Sequence, residues 1–281
     1  MTQAGTASQN GQKVDSYESL GLTVKNGADM ASMMKTGVTG IFYGDTGVGK
    51  THAVRFLPDK ETLYVGLEGG DSPLEGKDIP IFNLELENDG QGLAAFSQIM
   101  RAIRDGETIA NVDTSQLKFL VIDHISEMER FFQFGLMRNR KKRFLELKEY
   151  GDTSQKMREY LRMMRDLRSK GINVVFFAHE MWVDMKEDGV PVTKVVPKVG
   201  KSIVQEVMGM VDIVGRMEIA TEEDSNGARE VRRIRIKKAS DVAAKCRWTE
   251  MYRQHGDYAS QDLGELYREV YKIRKARSKN T

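Results

Sequence analysis

Residues 44–51, with the sequence GDTGVGKT, constrain the fold of this 281-residue chain more than any other segment. They fit the pattern G-x-x-x-x-G-K-[ST] and follow an apolar segment at residues 39–43 that is typical of a strand. At the end of the pattern, residues 49–56 are expected to start a helix. Gly44, Gly47 and Gly49 let the backbone wrap closely around an anion, with successive N–H groups pointing inward. The pattern therefore predicts a phosphate-binding loop between a strand and a helix.

The side chains at the end of this loop point to a nucleoside triphosphate as the ligand. Lys50 supplies a mobile positive charge for the β- and γ-phosphates, which also makes it a candidate catalytic residue, and the Thr51 hydroxyl can bind Mg²⁺. We therefore expect ATP and Mg²⁺ as cofactors. The residues of this segment expected to contact the nucleotide are Gly44, Asp45, Thr46, Gly47, Val48, Gly49, Lys50, Thr51 and His52.

Acidic side chains follow three other apolar segments. Asp123 ends the run FLVID, and a carboxylate at the end of a buried strand beside an anion site is costly unless a cation pairs with it. We therefore expect Asp123 to hold the metal together with Thr51. Two glutamates, Glu68 and Glu180, are candidates for orienting the attacking water, and the residues alone leave that choice open. His179, which precedes Glu180, is either a phosphate-site residue or a polar strand end that the backbone satisfies.

Apolar strand patterns alternate with helical patterns along most of the chain. Strands are predicted at residues 39–43, 62–67, 118–122, 173–178, 211–220 and 229–238, and helices at 92–104, 153–170 and 261–275. Several of the strands are apolar throughout, as in parallel sheets that are covered on both faces. The order predicts an α/β fold with a mainly parallel sheet, antiparallel strands near the C-terminus and a C-terminal helix.

The composition excludes several classes of protein. A single cysteine, Cys246, excludes an intrachain disulfide framework, and no apolar run approaches the ~18 residues of a membrane-spanning helix. The first residues lack the basic and apolar regions of a signal peptide, so a cytoplasmic location is expected. We expect a disordered arm at residues 1–13, one domain at residues 14–260, and a C-terminal helix with a basic tail at residues 261–281.

Taken in order, the motifs resemble the RecA-like ATPases, and specifically the phage nucleotide-binding, single-strand annealing branch. The resemblance covers residues 36–250 and includes GDTGVGKT, Glu68, the strand ending in Asp123, and the segment VVFFAHE that contains His179. It implies that Glu68 polarises the attacking water, that His179 senses the γ-phosphate, and that the loop after His179 touches single-stranded DNA. The basic insert before Gly151 departs from this pattern.

Three basic segments are candidates for contact with a polyanion or a neighbouring subunit. Residues 138–143 carry five positive charges near Phe131, Phe132, Phe134 and Phe144, which is typical either of single-strand binding or of a solvated helix whose phenylalanines join the core. Residues 181–202, expected as a loop, carry Trp182, Lys186, Lys194, Lys198 and Lys201. Lys245 and Arg247, in AKCRW, resemble RecA-like positions that reach a neighbouring subunit's nucleotide, so both are predicted catalytic residues acting in trans.

These observations favour an ATP-dependent, single-stranded-DNA-binding ATPase in phage-type recombination or strand annealing. We expect a homo-oligomeric ring or filament, located in the host cytoplasm if the chain is phage-encoded, with a single-strand-binding protein as a further expected partner and no membrane. The alternative is a P-loop ATPase that assembles or switches protein partners without binding DNA. A small-molecule kinase is a third class, disfavoured because no Arg-rich lid is evident.

Overall fold

The computed structural model describes residues 36–84, 91–141, 143–187, 189–224 and 227–279. The expected arm at residues 1–13 lies outside these ranges. The strands are β1 Thr39–Tyr43, β2 Thr62–Gly66, β3 Ile81–Asn83, β4 Thr108–Ile109, β5 Val112–Asp113, β6 Phe119–Asp123, β7 Asn173–Ala178, β8 Glu180–Glu187, β9 Val190–Pro197, β10 Ile213–Asp224, β11 Gly227–Arg235, β12 Lys245–Cys246 and β13 Tyr258–Ser260. The α-helices are α1 Gln91–Asp105, α2 Ile125–Asn139, α3 Leu147–Asp166, α4 Val204–Met210, α5 Thr249–His255 and α6 Leu263–Lys279. Short 3₁₀ helices span Thr51–Phe56, Asp59–Glu61, Ser72–Leu74, Thr114–Gln116 and Leu167–Lys170.

Among the described residues, nine strands form one sheet in the order β13-β11-β10-β1-β7-β6-β2-β3, with β12 paired to β10. The pairs from β10 through β1, β7, β6 and β2 to β3 are all parallel. Strands β11, β13 and β12 add antiparallel pairs on the C-terminal side. The fold class predicted from the sequence is therefore confirmed.

Helices cover both faces of the sheet. On one face, α1, α2, α3 and α4 contribute residues such as Phe96, Phe132 and Leu161 to a core cluster. On the other face, the 3₁₀ helix Thr51–Phe56, α5 and α6 form a second cluster that includes Val54 and Tyr267. Every residue of β1, β2, β6 and β7 is buried, as a parallel sheet between two helical layers requires.

The structure corrects three local predictions. Residues 181–202, expected as a loop, form the antiparallel hairpin β8–β9, in which Met181 pairs with Val196 and Glu187 with Val190. The hairpin forms because Met181, Val183 and Met185 alternate with more exposed residues and pack against the core. The polar residues TEED, expected as part of a turn, lie within β10, and the first helix after the phosphate loop is a 3₁₀ helix that starts at Thr51.

No helix in the described part of the chain is both long enough and apolar enough to cross a bilayer.

The helix predicted at residues 153–170 is present as α3 followed by the 3₁₀ helix Leu167–Lys170. It ends at Gly171, whose φ of 83° is the left-handed conformation expected of a C-terminal glycine cap.

Candidate nucleotide-binding site

The phosphate loop joins the carboxyl end of β1 to the 3₁₀ helix Thr51–Phe56, so it lies at the edge of the sheet where the parallel strands end. Gly47 and Gly49 have backbone φ values of 83° and 91°, which residues other than glycine rarely adopt. A Cβ at Gly49 would also lie 2.4 Å from the side-chain nitrogen of Gln261. The loop therefore depends on glycine at these positions for its backbone conformation and for its packing.

Gln261, just before α6, holds the loop from the other end of the chain. Its Nε2 donates hydrogen bonds to the carbonyl oxygens of Val48, at 3.2 Å, and Gly49, at 2.8 Å. The side chain of Arg232 on β11 also approaches Gly49 and lines the cleft beside it. Sequence reasoning missed both residues, because nothing in their local pattern indicates contact with a loop about 200 positions away.

Lys50 is buried, with 5% of its surface exposed, and its Nζ lies inside the loop. It donates hydrogen bonds to the carbonyl oxygens of Gly44, at 2.9 Å, and Asp45, at 2.7 Å. Burial lowers the pKa of Lys50, while the carboxylates of Asp123 and Asp45 oppose that shift. The ammonium group is thus held against the loop by carbonyl oxygens, within the segment that would wrap the phosphates.

The side chains of Thr51 and Asp123 meet at the base of the loop. The Thr51 hydroxyl donates to Asp123 Oδ2 at 2.8 Å, and the buried Tyr64 hydroxyl donates to the same oxygen at 2.7 Å. Burial and the neighbouring Asp123 raise the pKa of Tyr64 far above its ordinary value, so its hydroxyl stays a donor. Asp123 is 2% exposed, and its Oδ1 accepts no hydrogen bond from the described residues. A buried carboxylate beside a threonine hydroxyl fits Mg²⁺, which prefers oxygen donors.

Glu68, His124 and His179 form a cluster, which we call the Glu-His-His cluster. It lines the same cleft as Thr51. Glu68 Oε2 lies 2.7 Å from His124 Nδ1 and 2.9 Å from His179 Nε2. Burial raises the pKa of Glu68, but the two imidazole hydrogen bonds outweigh burial and hold it below its ordinary value. Glu68 is therefore a carboxylate at neutral pH, positioned by two rings.

His124, which sequence reasoning missed, links this cluster to Asp123. Its Nε2 lies 2.7 Å from Asp123 Oδ1, at ion-pair distance, although the two atoms are not aligned as a hydrogen bond. Burial lowers the pKa of His124, but the carboxylates of Asp123 and Glu68 outweigh burial and hold it above its ordinary value. The peptide bond between Asp123 and His124 is cis. The local signal that could have indicated His124 is its position directly after Asp123, the acidic end of β6.

The second candidate glutamate, Glu180, lies in a different environment. Its Oε2 is 3.0 Å from the Arg216 Nε, and the pair is largely shielded from solvent. Glu68, in contrast, lines the cleft together with Lys50, Thr51 and His179. Of the two glutamates that the sequence left open, the structure therefore brings Glu68 to the phosphate loop and commits Glu180 to an arginine.

These elements enclose one cleft of about 540 Å³. It is lined by Thr46, Gly47, Gly49, Lys50, Thr51, His52, Glu68, Gly69, Gly70, Pro73, His124, His179 and Arg232. The cleft combines a glycine-rich anion loop, a buried lysine, a carboxylate–hydroxyl pair and an oriented glutamate. It is therefore suited to hold a phosphorylated ligand with a metal and a water molecule.

Comparison with known proteins agrees with this geometry. A family model described as an AAA domain matches residues 36–248. The chain belongs to this family. Its α/β fold, with a mostly parallel central sheet, is consistent with a RecA-like P-loop NTPase.

Solved structures show more distant similarity to this AAA domain. A KaiC-like protein from the archaeon Pyrococcus horikoshii is 14% identical, with a TM-score of 0.37, over 75% of this chain and 84% of that one. The flagellar accessory protein FlaH from Methanocaldococcus jannaschii is 9% identical, with a TM-score of 0.35, over 79% of this chain and 90% of that one. Comparison with curated proteins gives no significant match.

Lys245 and Arg247 of the AAA domain lie away from its own cleft. Lys245 pairs with Val214 near the amino end of β10, whereas the phosphate loop lies at the carboxyl end of the parallel strands. Lys245 Nζ donates to the carbonyl of Gly209 at 3.1 Å, and Arg247 Nε lies 3.0 Å from Asp212 Oδ1. Within one chain the structure does not bring these cations to the nucleotide site, and their action in trans stays a prediction.

The basic segments of the AAA domain differ in accessibility. Lys194 is only 1% exposed, with Nζ 3.4 Å from the Ala239 carbonyl, so its predicted contact with a DNA strand is wrong. Trp182, on the same hairpin, is 60% exposed, and Lys186, Lys198 and Lys201 are exposed. Lys194 is buried because the hairpin packs its second strand beside residues 239–243.

The basic run at residues 138–143 is flanked by phenylalanines that differ in burial. Phe131 and Phe132 join the core, as the solvated-helix interpretation predicted, whereas Phe134 and Phe144 are exposed. Arg140 forms ion pairs with Glu149, at 2.5 Å, and Asp152, at 3.2 Å. Part of the positive charge of this run is therefore already balanced within the AAA domain.

Proposed function

We propose that this AAA domain hydrolyses ATP in the presence of Mg²⁺, and that it does so as an oligomer acting on single-stranded DNA. The observation that carries the hydrolytic part is the convergence of Lys50, the Thr51–Asp123 pair and Glu68 on one cleft. Each of these groups supplies a requirement of phosphoryl transfer: charge neutralisation, metal binding and orientation of the attacking water.

The chain's own residues define the steps. The loop N–H groups and Lys50 bind and orient the phosphates, while Thr51 and Asp123 hold Mg²⁺, which supplies charge neutralisation when it is bound. Glu68, ionised and fixed by His124 and His179, accepts a hydrogen bond from the attacking water and polarises it toward the γ-phosphate. His179 has a backbone N–H bonded to Ser126 Oγ at 2.9 Å, which fixes the position from which its ring would respond to the phosphate.

The DNA part of the proposal is supported by the hairpin β8–β9, which follows His179 directly. The hairpin presents an exposed aromatic ring, Trp182, and an exposed lysine, Lys186, on the same strand, and the exposed Lys198 directly follows β9. Bases stack on aromatic rings and phosphates pair with cations, so this combination suits single strands without sequence preference. The connection through His179 would let strand binding influence the cleft.

The deciding experiment is the ATPase rate with and without single-stranded DNA, with Lys50→Ala as the inactive reference. Removal of the Lys50 charge should lower turnover by about 10²–10³-fold and weaken nucleotide binding. Lys60→Ala is the matched control, because the Lys60 side chain is 86% exposed and lies outside the cleft. Wild-type turnover by Lys50→Ala would contradict the assignment of the phosphate loop.

The same assay separates the competing functions. Stimulation of turnover by single strands supports the DNA-dependent ATPase. Hydrolysis that is indifferent to DNA favours an ATPase that assembles or switches protein partners, and transfer of phosphate to a small molecule would identify a kinase.

A further inference from the structure

The Glu-His-His cluster has the donor chemistry of a transition-metal site. Its two imidazole nitrogens and one carboxylate oxygen all lie within 4.8 Å of one another. Such N,N,O donor sets favour Zn²⁺, Co²⁺, Ni²⁺ and related ions, whereas Mg²⁺ prefers oxygen donors only. The cluster is therefore distinct in chemistry from the Thr51–Asp123 pair, even though Thr51 and the cluster line one cleft.

The donor atoms are already arranged as ligands of one ion. Metal–donor distances of about 2.0–2.2 Å place adjacent donors about 3.0 Å apart in an octahedral site and about 3.4 Å apart in a tetrahedral one. Here Glu68 Oε2 lies 2.7 Å and 2.9 Å from the two ring nitrogens. A shift of a few tenths of an ångström would bring both separations to the octahedral value, and the two ring nitrogens lie within 4.8 Å of each other.

The surroundings also match those of a metal ligand. A histidine that binds a metal usually presents its other ring nitrogen to a carboxylate or a carbonyl, which fixes the ring. His124 comes close to this arrangement, since Nδ1 faces Glu68 while Nε2 lies 2.7 Å from Asp123 Oδ1, at ion-pair distance. The backbone of His179 is fixed by the Ser126 hydroxyl and by the Lys198 N–H, which donates to its carbonyl at 2.7 Å.

The site is accessible from the cleft. The side chains of Glu68, His124 and His179 are 42%, 13% and 22% exposed, so each retains contact with solvent. An ion can therefore enter from the open side and complete its coordination with water.

We propose that Glu68, His124 and His179 form a binding site for a divalent transition metal such as Zn²⁺, and that the bound ion inhibits ATP turnover by occupying the Glu68 carboxylate. Metal binding is independent of the proposed function, whereas the inhibition rests on it. Glu68 cannot polarise water while it ligates an ion, so inhibition should leave nucleotide binding largely intact and should be reversed by a chelator.

Binding is measured first, on the full chain free of nucleotide. Co²⁺ is titrated while visible absorption is followed, and Zn²⁺ is titrated by calorimetry. We expect one ion per chain, with Zn²⁺ displacing Co²⁺. His124→Gln and His179→Gln should each weaken binding at least about 100-fold, since loss of even an outer-shell partner costs 10–100-fold. The matched control is His255→Gln, which lies at the end of α5 outside the cleft and should bind as the wild type does.

The outcomes are decisive without an activity assay. The site would be overturned if the wild type bound neither Co²⁺ nor Zn²⁺, or if both cluster variants bound them as tightly as the wild type does. If either variant fails to fold, X-ray absorption of the Zn²⁺-loaded wild type replaces it: two imidazole ligands support the proposal and none contradicts it.

Turnover is then measured at a fixed excess of Mg²⁺ and ATP while Zn²⁺ is varied. Loss of turnover with a midpoint near the measured Zn²⁺ affinity, and recovery on chelation, support the inhibition. Full turnover with the site loaded contradicts it. A chain that binds Zn²⁺ but hydrolyses no ATP would refute the proposed function and leave the metal site standing.

Discussion

Two imidazole rings converge on one carboxylate oxygen of Glu68, whereas Glu180 faces a guanidinium group. The first environment leaves an ionised acid at the wall of the cleft, and the second neutralises an acid in an ion pair. This difference between two residues of the same type separates a candidate water-orienting group from a structural one.

Glu68→Gln should therefore separate nucleotide binding from turnover. The amide keeps the shape of the side chain but cannot accept the proton of the attacking water, so turnover should fall by about 10²–10⁴-fold while affinity for ATP stays near that of the wild type. Steady-state hydrolysis and fluorescent-nucleotide binding measure the two quantities. Glu180→Gln is the matched variant, and if it alone loses turnover, the assignment of Glu68 is wrong.

The reactivity of the Cys246 thiol provides an independent test of the packing around this residue. Burial raises the pKa of its thiol to about 11, so at pH 8 the thiolate fraction is about a hundredfold lower than for an ordinary cysteine. We expect a disulfide reagent to modify the native chain slowly and the denatured chain rapidly. Because this is the chain's one cysteine, absorbance of the released thiolate reports it alone. Equal rates in the two states would contradict the buried position.

At the scale of elements, the predictions succeeded where burial dominates. Strands β1 and β7 have the predicted bounds because each is mostly apolar and buried along its whole length. Strand β3, at the sheet edge, was missed because it is only 3 residues long and partly exposed, and β8–β9 was missed because charges interrupt the apolar positions. Elements whose pattern is set by one exposed face carry a weaker signal.

The same distinction holds for the site. Lys50, Thr51 and Asp123 follow from short motifs, because the chemistry and the neighbouring strand lie within a few residues of each other. The roles of His124 and Arg232 depend on partners brought together by the sheet, 56 positions away in the case of Glu68 and His124. Sequence spacing contains no measure of that proximity.

The hairpin β8–β9 allows a test of DNA contact that accounts for its fold. Replacing Lys186 and Lys198 with alanine should flatten the dependence of log affinity on log salt by about 1.4, since each phosphate contact on a single strand contributes about 0.7. Fluorescence anisotropy with a labelled oligonucleotide at several salt concentrations measures this slope. The exposed Lys60 is the control position, and an unchanged slope in the double variant would place the strand elsewhere, for example on the C-terminal basic tail.

At the scale of the whole molecule, the two ends of the parallel strands carry different groups. The cleft lies at the carboxyl ends, and Lys245 and Arg247 lie near the amino end of β10. A cation at that end can reach a triphosphate only in another copy of the chain. This arrangement is what trans action in a ring or filament would require, and trans action would make turnover depend on assembly.

Lys245→Ala should fold and bind ATP but hydrolyse it poorly. Mixed in equal amounts with Lys50→Ala, it should recover part of the activity, because some interfaces then combine an intact loop with an intact lysine. Turnover of the mixture, with mixed oligomers verified by mass, is the measurement. Full activity of Lys245→Ala alone, or no recovery in verified mixed oligomers, would contradict trans action.

The hydrogen bonds from Gln261 to the carbonyls of Val48 and Gly49 also determine when the phosphate loop can reach its final form. The partners are separated by 213 and 212 positions, so the contact closes a loop of chain that includes most of the domain. Closing so long a segment carries an entropic cost that is recovered only after the intervening sheet has folded. During synthesis from the N-terminus, the phosphate loop is therefore synthesised early, but its hydrogen bonds to Gln261 form late. The growing chain completes this part of the nucleotide site among the last of its tertiary contacts.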